Sequence, residues 1–135
     1  MISLSIDPQT PLRTLILAKG VTQDIYVNNE TPSSALPAHF LEIAQNGPIK
    51  TGSTHRGNGE CMLALSIYVQ NLSTGVTNNV KMKMILDQFA TIFDAPLKSG
   101  VFSYSLEPSN LIYSGKSLAA GYSTKIINIQ THINY

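Results

Sequence analysis

Three histidines, eight carboxylate side chains and one cysteine are the groups in this chain suited to binding a metal or moving a proton. His39, His55 and His132 are widely spaced. None falls in an H-x-x-x-H or H-E-x-x-H pattern, and a zinc site would need all three to converge with a carboxylate. Cys61 stands alone, which excludes an intrachain disulfide and any site built on several cysteines. Its place in an alternating apolar segment predicts a small buried hydrophobe. Glu42, Glu60 and Glu107 make no recognisable acid–base pair, and the serines include no G-x-S-x-G elbow to raise a nucleophile. The stretch Gly52–Gly59 has the composition of a phosphate cradle. Such a cradle needs its glycines followed by Lys-Ser/Thr and a helix whose N–H groups face the anion. Here Lys50-Thr51 precede the glycines and the chain runs on into a strand. No catalytic, cofactor-binding or metal-ligating residue is expected, and the chain does not read as an enzyme.

What remains is a polar arm. Asn46 to Gly59 holds four glycines, one proline, Lys50, His55 and Arg56, and Ile49 is its one large hydrophobe. It joins two segments of strand character, 38–45 and 60–69, and is too long for a tight turn. The pattern predicts a hairpin that projects beyond its sheet. Its basic side chains either aid solubility or meet a neighbouring subunit or partner.

The elements that would carry this arm follow from periodicity. Asp7-Pro8 reads as a helix start, with Asp7 as cap, and Gly20 as its stop. Ile25–Val27 is a brief extended piece, and 28–37, with Pro32 and Pro37, is a loop. In 60–69, Cys61, Leu63, Leu65, Ile67 and Val69 point one way, and Glu60, Met62, Ala64, Ser66 and Tyr68 the other. Met82, Ile85, Leu86, Phe89, Ile92 and Phe93 form one apolar stripe on a helix over 79–94, capped by Thr77 or Asn78 and ended by Pro96. Strands follow at 101–106, 111–113 and 123–135. The last alternates Ile127, Ile129, Thr131 and Ile133 with Asn128, Gln130, His132 and Asn134. The expected fold is α+β: a four- or five-stranded, mainly antiparallel sheet with one long helix on one face and a short N-terminal helix, in a single domain.

The bulk numbers agree with an assembling protein. A length of 135 residues suits one core. The charged fraction, 13%, is about half the usual ~25%, so little charge keeps folded copies apart. A net charge of +1 gives no long-range pull on nucleic acid or an acidic membrane. No stretch approaches the ~20 apolar residues that span a bilayer, and the first residues lack the form of a signal peptide.

The order of these motifs resembles the tail-completion (tail terminator) proteins of long-tailed phages and related prophage minor capsid proteins. The residues that carry the resemblance are the helix Leu12–Ala18, then Ile25-Tyr26, then Ser34-Ala35-Leu36-Pro37 leading into Phe40-Leu41-Glu42-Ile43. The second strand follows, closing on Ser66-Ile67-Tyr68-Val69, and then a helix and a last strand that ends in an aromatic. Low charge and the extended character of 100–121 depart from the family's usual pattern. The resemblance implies a non-catalytic homo-oligomeric ring, often a hexamer, made in the bacterial cytoplasm and carried in the virion. It would join the tail tube to neck proteins, without cofactor, membrane or sequence-specific nucleic acid. Ring closure needs two unlike patches on each subunit. The expected contact residues are Lys50, His55, Arg56 and Asn58 on the arm, Met62 and Tyr68 on the second strand, and Gln130 and His132 on the closing strand. A second reading is a small ligand-binding or regulatory module with a pocket between sheet and helix. A hydrolase is the third.

Overall fold

The computed structural model describes residues 6–27, 36–51, 58–107, 112–115 and 120–134. Two helices, α1 (Gln9–Ala18) and α2 (Asn79–Ile92), accompany strands β1 (Ile25–Val27), β2 (His39–Gln45), β3 (Lys50–Thr51), β4 (Asn58–Gln70), β5 (Leu97–Ser99), β6 (Phe102–Leu106), β7 (Ile112–Gly115) and β8 (Tyr122–Asn134). All eight strands join one curled sheet in the order β1-β2-β4-β8-β6-β5, with β3 on β4 and β7 on β8. This corrects the expected four or five strands under one long helix. The helices have 10 and 14 residues, so neither dominates. Five or six of the strands are legible as extended segments. β3 and β5, of two and three residues, are too short to show a period. All pairs are antiparallel except β1–β2, which is parallel.

The frame is the β4–β8 ladder. It runs without a break from Asn58 opposite Asn134 to Gln70 opposite Tyr122. Its inner face carries Cys61, Leu63, Leu65, Ile67 and Val69 against Ile127, Ile129, Thr131 and Ile133, all buried. Both helices lie on this side. Leu12 and Ile16 from α1, and Met82, Ile85, Phe89 and Phe93 from α2, complete the core. α1 begins one residue later than expected, with Pro8 at the cap position and Gln9 first in the helix, while the Asp7 carboxylate still accepts from the Gln9 N–H at 2.9 Å. It stops at Gly20, whose φ of 75° suits glycine. α2 is capped by Asn78, which accepts from the Lys81 N–H at 3.2 Å. It ends at Ile92, two residues before the expected Asp94, where Phe93 leaves helical geometry ahead of Pro96. No helix among the described residues is long and apolar enough to cross a membrane.

Candidate functional site

The outer face of the sheet changes character along the strands. At one end Phe40 stacks on Tyr68 with ring centroids 4.6 Å apart, and Tyr26 and Tyr122 approach Phe40 edge-on. The Tyr122 hydroxyl donates to the Pro37 carbonyl at 2.6 Å and so holds residues 36–37 beside this cluster. Tyr68 is only 4% exposed, so its ring serves the subunit's own packing rather than a free surface. Burial pushes its phenol pKa up, and the Glu42 carboxylate adds to this.

At the other end the register lines up one polar row across five strands. Lys50 on β3 lies opposite Glu60 on β4, and Glu60 opposite His132 on β8. His132 lies opposite Ser103 on β6, and Ser103 opposite Lys98 on β5. Lys50, Glu60, His132 and Lys98 are exposed, as are Asn58 and Asn134 at the tip of the ladder. Met62 and Gln130 form the next row inward, both half-buried, with Gln130 reaching the Glu60 carboxylate at a long 3.5 Å. Five of the eight expected contact residues, Lys50, Asn58, Met62, Gln130 and His132, therefore gather at one end of one face. Tyr68 lies at the opposite end. His55 and Arg56, with the tip of the arm, lie outside the described residues. The described part of the arm belongs to the sheet: β3 pairs with the start of β4, and β4 is flanked there by β8.

Sequence reasoning missed Glu60, Ser103 and Lys98 as members of this row. The pairings that join Glu60 and Ser103 to His132 cross 72 and 29 positions of chain and leave no local signal; the alternation of each strand gives its faces but not its neighbours.

On the inner side, burial pushes the Cys61 thiol pKa up, and a hydrogen bond with Thr131 partly offsets this. A buried thiol of this kind is a packing group. Among the described residues no three His, Cys, Asp or Glu side chains are grouped as metal ligands would be. A concave feature lies at the sheet's edge. It is an open groove of about 550 Å³ between α1 and β1, lined by Asp7, Thr10, Arg13, Gln23, Asp24 and Ile25–Val27.

No family model matches the chain. No curated protein matches it either. Solved structures do: one that carries a serial designation and no functional description superposes with a TM-score of 0.57 at 10% identity, over 93% of this chain and 89% of its own. At that identity the likeness is one of fold, and it extends over nearly the whole of both chains.

Proposed function

We propose that the chain is a non-catalytic structural subunit that assembles into a homo-oligomeric ring and meets the end of a tail tube or a neck component through the polar end of its outer face. The observation that carries this reading is the row Lys50, Glu60, His132, Ser103 and Lys98. It is a mixed-charge strip spanning five strands, exposed except at the half-buried Ser103, with Asn58 and Asn134 at its rim. An exposed strip with both signs of charge suits a protein surface better than a small substrate. The order of sequence motifs shared with tail-completion proteins and the low charge content support the same reading. The test is sedimentation velocity and native mass spectrometry of the purified chain across micromolar to millimolar concentration, with tail tubes added in a parallel series. The proposal expects a closed oligomer, alone or on tubes. Lys98→Glu should weaken tube binding at least tenfold. A monomer at every concentration that also ignores tubes would refute it.

A further inference from the structure

β1 is an outer strand of the sheet; among the described residues no other strand pairs with its far side. The parallel register sets which peptide groups face that side. The Leu41 N–H donates to the Asp24 carbonyl, with Ile25 opposite Leu41. The N–H and C=O of Tyr26 therefore face β2, and those of Ile25 and Val27 face outward. Arg13 from α1 confirms the geometry, donating from Nε to the Ile25 carbonyl at 2.8 Å. The groove thus has a strand edge for one wall and α1 for the other, with the carboxylates of Asp7 and Asp24 on its lining. An edge of this kind is a template for an added strand, with main-chain bonds giving affinity and flanking charges giving choice.

The chain also carries an edge of the opposite character. Among the described residues β3 pairs with β4 alone, and no strand lies on its other side. The segment 46–59 to which it belongs contains Lys50, His55 and Arg56 and no acidic residue. Within one subunit the two edges are held apart. Val27 is aligned with Ile43 and so with Leu65, while Lys50 is aligned with Glu60. Those five positions along β4 amount to roughly 17 Å, and β3 is fixed there by its own pairing.

We propose that the groove between α1 and β1 receives β3 of a second copy, its edge pairing with the outward Ile25 N–H and the outward groups of Val27 while Arg13 keeps the Ile25 carbonyl, and Lys50 meeting Asp24. The contact joins two unlike patches, so it repeats head to tail and closes a ring when the rotation allows. This rests on the assembly reading above and places the subunit–subunit contact at the β3 edge, where it shares Lys50 with the tube-facing row, while Lys98 at the far end of that row takes no part in it.

Charge exchange tests it. Asp24→Lys and Lys50→Glu should each weaken self-association at least tenfold in sedimentation velocity, and the double variant should recover it. Circular dichroism verifies that each variant is folded. A second measurement does not depend on charge. In a Cys61→Ala background, Gln23→Cys and Thr51→Cys proteins are mixed as separate chains and oxidised. The contact predicts a mixed disulfide dimer, since sulfurs bridge only when their Cα atoms lie within about 7 Å. A chain that assembles normally with either charge reversed, and gives no mixed dimer, overturns this contact and leaves the assembly reading standing. A chain that stays monomeric and ignores tubes overturns both. Saturable binding of a free dipeptide or metabolite in the groove that Asp24→Lys abolishes, with self-association unchanged, would assign the groove to a small ligand and also overturn the contact.

Discussion

Tyr104 ties the start of α1 to the sheet. Its ring is fully buried, and its hydroxyl donates to the Pro8 carbonyl at 2.5 Å, across 96 residues of chain. Tyr104→Phe keeps the packing and removes the bond, leaving a buried carbonyl short of one partner. The expected cost is about 1–3 kcal/mol, read as a lower denaturant midpoint with unchanged slope. Burial, with smaller contributions from Cys61 and Asp7, also pushes the Tyr104 phenol pKa far above its ordinary value. The folded state therefore keeps this proton while the unfolded chain loses it above about pH 10. Its contribution to stability is whole below that pH and falls as pH rises, and Tyr104→Phe should flatten that alkaline limb. Tyr68 shifts the same way, so the limb should flatten in part and not vanish. His39 has the opposite sign. Burial and the charge of Lys81 hold its imidazole pKa below the usual range, against the Val21 carbonyl and Asp24. The unfolded chain takes up that proton first as pH drops below about 6.5, so stability falls toward acid. Urea midpoints between pH 7.5 and 5 should decline less in His39→Gln than in the parent. An equal decline in both would show that other groups set the acid limb.

Among the elements, α2 depends on its first turn. Asn78 supplies the side-chain acceptor for the Lys81 N–H, and the Lys83–Asp87 pair farther along is exposed at both ends and contributes at most a few tenths of a kcal/mol. Asn78→Ala should therefore cost about 1 kcal/mol, while Asp87→Ala should be near neutral in the same thermal melts. The capping motifs, the stripe on α2 and the two faces of β4 were legible because each is written within a dozen residues. Cys61, Leu63, Leu65, Ile67 and Val69 needed nothing but alternation. The strand count was not legible. Leu97–Ser99 and Lys50–Thr51 are strands only because β6 and β4 lie beside them, and nothing in Leu-Lys-Ser or Lys-Thr asks for extended pairing. The same holds for the outer-face row. Lys50 and His132 are visible as polar residues, but their common neighbour Glu60 emerges only from register. Tyr68 looked like a surface aromatic by its phase on β4. It is covered because Phe40 stacks on it from β2, a partner that alternation does not reveal.

The whole molecule is held in shape by the meeting of its two sheet ends. β1 and β5 stand at opposite ends of the strand order, yet α1 touches both. Five strand-to-strand steps at roughly 20–25° each turn one end against the other by roughly 100–125°, which brings both ends within reach of one helix. α1 thus closes the mouth of the curl, with Leu12 and Ile16 fully buried beneath it, Arg13 on the β1 edge and Tyr104 reaching up to Pro8. The consequence is a coupling between distant strands. Leu12→Ala should cost about 2–5 kcal/mol by opening a cavity under α1, and the loss should not spread evenly. In native-state hydrogen exchange, the amides of β1 and β5 should lose protection together, at one shared opening free energy. The centre of the β4–β8 ladder, paired on both sides, should keep exchanging by global unfolding. If β1 and β5 open at separate free energies in the Leu12→Ala variant, α1 is not the common clasp, and each sheet end is held by its own neighbour alone. A shared opening would further mean that whatever occupies the α1–β1 groove also steadies β5 on the far side, since both edges answer to the same helix.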